Sequence, residues 1–321
     1  MQCDRCEADA VIHQAYSGAH LCEDHLCRSV EKRVRRRIRR DGLLDTDATP
    51  ETPDAWIIGL SGGKDSAVLT HILDETLADD PRIELIAITA HEGIAGYRDE
   101  SLTACRELIA NRDIQHEIVR YEDEFDIAID DVAANDSASL ATCSYCGVFR
   151  RDVLHRLADA HAGDLLLTGH NLDDEAQTAM MNYLAGDVAQ MAKHFEASLG
   201  ALDERRPQER FIPRAKPLRD IPEREVALYA HFQNLPAHIT ECPHADEAYR
   251  GTIQRLLHSL EEEHPGTKHS IMAGYQALAA MVAKERDFEH ESALNTCESC
   301  GGPTTGERCR RCEFLELLTP Q

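Results

Sequence analysis

From Trp56 onward, short apolar runs alternate with stretches in which apolar residues recur every three or four positions. The first pattern is that of buried strands, and the second that of helices with one packed face. Trp56–Leu60 predicts a strand and Ser61–Asp65 a loop, and Val68, Leu69, Ile72 and Leu73 form the apolar stripe of a helix. Ile83–Thr89 predicts a second strand, followed by a helix near Asp99–Arg112, and Ile114–Tyr121 a third strand. A helix is expected over Val148–His161, a strand over Leu165–Thr168, and a helix over Leu172–Ala185 that stops at Gly186. Pro207, Pro213, Pro217 and Pro222 mark a looped stretch, and Pro222 suits the first turn of a helix running through Leu235. Residues 246–290 read as helical. Strands separated by crossover helices predict an α/β fold with a parallel sheet.

The two ends differ from this block. Residues 1–27 are rich in Cys and His, residues 28–40 are basic, and residues 41–54 are polar and turn-rich, like a linker. A second Cys group occupies residues 297–312. The expected organisation is an N-terminal metal module with a basic helix (1–45), a catalytic domain (46–245), a helical segment (246–290) and a C-terminal metal ribbon (291–321). No internal repeat is visible beyond the two Cys-rich ends.

Length and charge alter this picture in three ways. A chain of 321 residues suits one main domain with additions. There is no apolar run long enough to span a membrane, and MQCDRCEADA lacks a signal pattern, so a cytoplasmic protein is expected. The net charge is −24, from 58 acidic against 34 basic residues, and only 6 of the latter are lysines. Lysine-poor acidic surfaces mark proteins of salt-loving organisms. In molar salt the screening length falls to roughly 3 Å, so local patches say more about partners than net charge does.

Twelve cysteines without an export signal argue for metal or catalysis over disulfides. Cys3-x2-Cys6 with Cys22-x2-His25, and Cys297-x2-Cys300 with Cys309-x2-Cys312, have the paired spacing of tetrahedral zinc sites. Two structural Zn²⁺ ions are expected, because a short chain end cannot bury a core and the metal supplies its folding energy. The run Lys32, Arg33, Arg35, Arg36, Arg37, Arg39, Arg40, with Val34 and Ile38 four apart, predicts a helix with a small apolar stripe. In so acidic a chain its basic face, including Lys32, Arg33, Arg36, Arg37 and Arg40, is the expected phosphate-binding patch, although internal acidic contacts would use the same residues.

Ser61-Gly62-Gly63-Lys64-Asp65-Ser66 lies between a strand and a helix. Adjacent glycines let the backbone approach a ligand closely, and the helix start behind them points N–H groups at an anion. Ser61, Ser66 and Lys64 add hydroxyl donors and charge, giving a phosphate cradle that is not a Walker A loop. Gly169-His170-Asn171-Leu172-Asp173-Asp174-Glu175 ends a strand and opens a helix, at the sheet edge where ligands sit. Asp173 or Asp174 can hold Mg²⁺ or orient a substrate, or Asn171 and Asp173 can simply cap the helix. Cys143 and Cys146 form a CxxC pair expected on a turn just before a helix, where thiolate is favoured. Together with Cys242 they can carry sulfur as a persulfide or ligate iron, as in a 4Fe-4S cluster. A structural zinc with His244 as fourth ligand is the blander alternative.

SGGKDS at Ser61–Ser66, CSYCGVFRR at Cys143–Arg151, TGHNLDD at Thr168–Asp174 and ECP at Glu241–Pro243 occur in this order. The order resembles that of the tRNA 2-thiouridine synthetases of the TtuA/NcsA group, within the PP-loop ATP pyrophosphatases, and the likeness covers nearly the whole chain. It implies a PP-loop domain flanked by zinc modules, cleavage of ATP between the α- and β-phosphates with Mg²⁺, tRNA as substrate, and a ubiquitin-like sulfur carrier as donor. It assigns the ATP site to Ser61–Ser66 with Gly169 and His170, and the catalytic site to Cys143, Cys146, Cys242, Asp174 and Arg150. Arg150 stands where some members have Lys. The stretches Glu92–Asp99, Glu225–Phe232, Met181–Leu184 and Ala248–Gly251 resemble the branch that modifies the wobble uridine, the T-loop uridine being the alternative. Other PP-loop tRNA chemistries and a non-catalytic zinc-dependent nucleic-acid binder are the rival functions, and a homodimer is left open.

Overall fold

The computed structural model describes residues 1–44, 47–135, 140–188, 190–191, 212–244, 249–285, 295–304 and 306–318. The chain opens with an antiparallel hairpin, β1 (Ile12–Gln14) and β2 (Ala19–Leu21), followed by α1 (Glu23–Arg40). The central block runs β3 (Asp54–Gly59), α2 (Lys64–Leu77), β4 (Ile83–His91), α3 (Tyr97–Ile109) and β5 (Gln115–Arg120). Two short helices follow, α4 (Tyr121–Phe125) and α5 (Ile129–Ala134), and then α6 (Thr142–Ala160), β6 (Leu165–Thr168) and α7 (Leu172–Ala185). After these come β7 (Arg214–Ala215), α8 (Glu223–Phe232), α9 (Tyr249–Glu263) and α10 (Thr267–Glu285). A small hairpin, β8 (Asn295–Thr296) and β9 (Pro303–Thr304), leads into α11 (Arg310–Leu318).

The five central strands pair in parallel in the order β5-β4-β3-β6-β7. Chain order reverses on either side of β3, so a crevice opens beyond its C-terminal end, where such sheets bind ligands. Trp56 and Ile58 of β3 bury themselves against α1, α2 and α8, while Ile57 faces Leu154 and Ala158 of α6. A parallel strand covered on both faces needs apolar residues at every position, which is why β3 is a continuous run and not an alternating one. Each such side chain contributes about 1.5–3 kcal/mol by leaving water. Helices α7, α9 and α10 share a smaller core around Leu172, Ile253, Leu257 and Tyr275. Helix α11 caps α6 through Tyr145 and Phe314, whose ring centroids lie 4.5 Å apart.

The predicted strand Leu165–Thr168 and helix Leu172–Ala185 match β6 and α7 end for end. The expected helical stretch is two helices, broken around Pro265 and Gly266. β7, α4, α5 and the N-terminal hairpin are additions to the expected set. The largest correction is at α6, which begins at Thr142, so the CxxC pair lies inside its first turns. Tyr145, Phe149 and Val153 are all fully buried and carry the helical repeat back past Val148. Pro207, residues 246–248 and 286–290, and parts of 291–321 (291–294, 305 and 319–321) lie outside the described residues.

Candidate functional site

The loop after β3 is held open by its own hydroxyls. The Ser66 hydroxyl donates to the Gly63 carbonyl at 2.9 Å and accepts from the Ser61 amide at 3.1 Å, while the two serine hydroxyls lie 3.0 Å apart. Gly62 has φ +82°, and a Cβ there would collide with the Ser101 backbone. A Cβ on Gly169 would come within 2.8 Å of the Asp65 carbonyl carbon. The TGHN turn therefore presses directly on the start of α2. Amides of the first turn of α2 have no partners within the helix, which makes them anion donors. Lys64 is oriented differently from the sequence expectation. Its ammonium sits 2.7 Å from Glu223 and 3.1 Å from Asp65. Burial alone would lower its pKa, but the two carboxylates outweigh that and raise it.

Asn171 is the N-cap of α7. Its side-chain oxygen accepts from the Asp173 and Asp174 amides, and the Asp174 carboxylate accepts from the Asn171 amide, closing a capping box. The Asn171 side-chain amide also donates to Asp65 at 3.0 Å, tying this turn to the nucleotide loop. Burial, reinforced by nearby Asp65, pushes the Asp174 carboxyl up to about 6. A buried carboxyl beside a second carboxylate is a fit place for a divalent cation, so Asp65 and Asp174 are the pair that would hold Mg²⁺. Asp173 is directed elsewhere. It accepts from the Glu223 amide at 2.9 Å and pairs with Lys268. Asp173, Glu223 and His258 also bring ligand atoms within 4.8 Å of one another, but Lys268 and Lys64 already balance their charge. His170 bonds Thr168 at 2.9 Å, and burial beside Lys216 lowers its pKa to about 3, so it is neutral.

The cysteine centre lies at the same sheet edge. Cys146 is buried among Tyr121, Tyr145 and Phe149, with Cys242 packed against the same cluster. Cys143 is exposed, and its sulfur lies 3.4 Å from the His244 carbonyl. Burial pushes the Cys146 thiol up, against the pull of Arg150, so its position near the start of α6 does not lower it as sequence position suggested. Arg150 donates to the Cys146 sulfur at 3.2 Å and to Glu92 at 3.0 Å. Glu92 is fully buried and also pairs with Arg98. Arg98 in turn donates to the Ser61 carbonyl at 2.7 Å. An unbroken polar chain thus joins the sulfur centre to the nucleotide loop. The three cysteines are not among the groups whose ligand atoms converge within 4.8 Å. Thiolates of an iron–sulfur cluster each bind a different iron, so a cluster does not require them to converge on one point. His244 turns away to Asp130 at 2.8 Å.

Both ends form four-ligand groups, Cys3, Cys6, Cys22 and His25, and Cys297, Cys300, Cys309 and Cys312. A tetrahedron with zinc–sulfur bonds of about 2.3 Å requires sulfurs about 3.8 Å apart. The Cys6–Cys22 and Cys300–Cys309 pairs are each 3.6 Å apart, and His25 Nδ1 lies 3.2–3.6 Å from its three sulfurs. The donors therefore fit the ion. On α1 the basic run divides. Arg37 is buried, pairing Asp41 at 3.0 Å and Asp220, and Arg33 pairs buried Glu225 and Tyr16. Lys32, Arg36, Arg39 and Arg40 remain exposed.

With this geometry in view, the similarity to known proteins is informative. A PP-loop domain model matches residues 31–258, and a model for the N-terminal LIM domain of the 2-thiouridine synthetase TtuA matches residues 2–27. The tRNA 2-thiolation protein NcsA of the haloarchaeon Haloferax volcanii is 64% identical over 318 residues, covering 99% of both chains. The chain belongs to the NcsA family of PP-loop proteins. The cytoplasmic tRNA 2-thiolation protein 1 of Caenorhabditis elegans is 34% identical and is covered over 79% of its length. The solved U34-tRNA thiolase NcsA of Methanococcus maripaludis, with its [4Fe-4S] cluster, superposes with a TM-score of 0.80 at 33% identity, covering 100% of this chain and 97% of that one.

Within this NcsA-family frame, sequence reasoning missed Glu92, Arg98 and Arg250 as site residues. Arg250 reaches Gln177 at 3.1 Å and Thr178 at 3.2 Å, bracing α7 behind Asp174. The one available signal was a carboxylate directly after an apolar strand, with an arginine six residues on. Among the described residues, no helix is long and apolar enough to cross a membrane.

Proposed function

We propose that this protein is an ATP-dependent tRNA thiolase that replaces the 2-oxygen of the wobble uridine with sulfur in the cytoplasm. The observation that carries this reading is the polar chain from the Ser61 carbonyl through Arg98, Glu92 and Arg150 to the Cys146 sulfur. An adenylating loop and a sulfur-handling centre wired together at one sheet edge suit a reaction in which activation and sulfur transfer act on the same atom.

The amides at the start of α2 and the Ser61 and Ser66 hydroxyls hold the phosphates of ATP, with Mg²⁺ between Asp65 and Asp174. The uridine 2-oxygen attacks the α-phosphate and pyrophosphate leaves, giving an adenylated C2–O bond. Sulfur then attacks C2, and the C2–O bond breaks with AMP as leaving group. Cys143, Cys146 and Cys242 are the residues that would hold a [4Fe-4S] cluster. With three protein thiolates, such a group supplies an iron open to exogenous sulfide. Arg150 orients Cys146 and sets a positive charge beside the sulfur. The sulfur arrives on the C-terminal thiocarboxylate of a ubiquitin-like carrier, whose C–S bond is broken by water, freeing sulfide and leaving a carboxylate. Two structural Zn²⁺ ions fold the ends. The protein meets tRNA first through phosphates, at the exposed basic residues of α1.

The test uses protein purified without oxygen, with tRNA, a thiocarboxylated carrier and labelled ATP. AMP and pyrophosphate should appear with tRNA, and mass spectrometry should place 2-thiouridine at the wobble position. Each of Cys143→Ser, Cys146→Ser and Cys242→Ser should lose thiolation nearly as fully as the triple variant, since groups acting as a unit are non-additive. Sulfur found in the T-loop instead, or normal 2-thiouridine in Cys242→Ser, would refute the wobble assignment or the three-cysteine centre respectively.

A further inference from the structure

Helix α6 carries a second row of interest beside the cysteine centre. Cys143, Gly147, Arg151 and His155 recur every four residues and so share one helix face. Along the axis, Arg151 lies about 12 Å from Cys143, at 1.5 Å per residue. Between them stands a glycine, and a Cβ there would just touch the Arg151 guanidinium at 3.7 Å. The row is therefore flat between the thiol and the cation. Across from it, Arg214 of β7 pairs in register with Leu166, whose side chain packs against α6 residues Leu154 and Ala158. Arg214 thus lies on the sheet face that α6 covers.

Carboxylates are scarce around these cations, and Glu175, the acid that acts on Arg214, is shared with other cations. Asp152, the acidic neighbour on α6, is occupied by Arg156 at 2.8 Å and Arg311 at 3.0 Å. Glu175, the other nearby acid, is occupied by Lys216 at 2.6 Å and faces Arg219 at 3.7 Å. The Arg214 Nε is buried and bonds nothing among the described residues. Burial and its neighbour Arg151 pull the Arg214 pKa down, and burial with Arg214 and Arg151 lowers His155 to about 4. In a chain of net charge −24, an exposed and a partly buried guanidinium set beside each other, with one shared carboxylate near, favour an anion that joins them.

We propose that Arg151 and Arg214, with the α6 face leading from Cys143, form a seat for the RNA backbone phosphates that flank the target nucleotide. This rests on the thiolase reading above, and it is a site separate from the basic face of α1. A splayed-out uridine at the cysteine centre needs its backbone held close by, and sequence-blind phosphate contacts position without specifying. ATP also carries phosphates, so the same chemistry has a second source that the experiment must separate.

The experiment measures binding of unmodified tRNA transcript, and separately of ATP, to full-length protein across a salt series. Arg151→Gln, Arg214→Gln and the double variant are compared with wild type. Each lost phosphate contact should reduce the slope of log K against log salt by about 0.7–0.9. The double variant should lose about 1.5 in slope and bind tRNA at least fivefold more weakly, with ATP affinity unchanged. Arg151→Lys should restore most of the slope. Arg151 is exposed, so Arg151→Gln alone tests the proposal if Arg214→Gln fails to fold. An unchanged tRNA slope in Arg151→Gln overturns it. So does loss of ATP affinity with tRNA binding intact, which would assign the cations to the nucleotide. A wild-type protein that binds no tRNA overturns both this proposal and the thiolase reading.

Discussion

Glu92→Gln tests whether the buried polar chain holds the site together. The Glu92 side chain is 0% exposed and receives Arg98, at 4%, and Arg150, at 46%. Burial alone would raise its pKa, but the two guanidinium groups outweigh burial and lower it. A carboxyl lowered on folding contributes stability above its unfolded value, and that contribution is lost as pH falls through the folded value. Removing one partner of a buried charge pair costs about 3–5 kcal/mol, because the other charge stays unpaired. Arg150 can turn to solvent, so the lower end applies, about 3 kcal/mol. At about 2 °C per kcal/mol for a chain of this size, the thermal midpoint should fall by about 6 °C near neutral pH. The difference from wild type should shrink in acid. Adding Arg98→Met should recover part of the loss, since a buried pair replaced by apolar groups is often neutral. Chemistry should split as well. Arg98 keeps its bond to Ser61 in the single variant, whereas Arg150 loses its anchor beside Cys146. Thiolation should therefore fall more than AMP release, measured in the same anaerobic reactions. A midpoint within 1 °C of wild type, with both activities intact, would refute the idea that this carboxylate carries the network.

Three further outcomes follow from the geometry. Metal analysis should find about two zinc ions per chain, from two four-ligand sets, and Cys3→Ser or Cys312→Ser should lower solubility and zinc content more than AMP release; folded protein without zinc would refute the end assignments. Asp174→Asn should gain stability relative to wild type as pH rises, by about 1.4 kcal/mol between pH 5 and 7.5 and about 3 kcal/mol over the whole range from pH 3 in ligand-free protein, because a carboxyl raised to about 6 contributes stability at low pH that is lost as pH rises from the unfolded value through that one; a pH-independent difference in unfolding midpoint would count against it. Arg36→Glu with Arg40→Glu should weaken tRNA binding in a salt-dependent way at unchanged stability, whereas Arg33→Ala should cost about 3 kcal/mol by leaving buried Glu225 unpaired, as read by filter binding and thermal unfolding.

The elements legible in the sequence were those with local signals at both ends. α7 was placed end for end because Asn171 opens it with a capping box and Gly186 closes it at φ 64°. β6 is four fully buried residues between polar neighbours. α6 was begun too late because its first turn carries the cysteines, which read as chemistry and not as a buried face. Thr142, Tyr145, Cys146 and Phe149 in fact continue that face without a break. The nucleotide loop was legible as a motif, but the direction of Lys64 was not, since its partner Glu223 is 159 residues away. Glu92 was invisible for the same reason. An acid after a strand looks solvated until Arg98 and Arg150 are packed over it.

The basic run shows what a count of charges hides. Read at 100° per residue, Leu26, Val30, Val34 and Ile38 form the buried stripe of α1. Arg33 and Arg37 then fall on one flank of that stripe, while Lys32, Arg36 and Arg39 point to the opposite side. Flank positions cannot stay in water once the stripe is buried, so they must find anions in the protein. They do so at Glu225 and Asp220, on either side of the start of α8. That start also carries Glu223, which holds Lys64 beside the nucleotide loop. The internal arginines of α1 thus fix the helix against the segment that braces the Ser61–Ser66 loop, leaving the outward ones exposed. On the proposed function, a tRNA drawn to the outward face would be held by a helix rigidly joined to the loop that activates it.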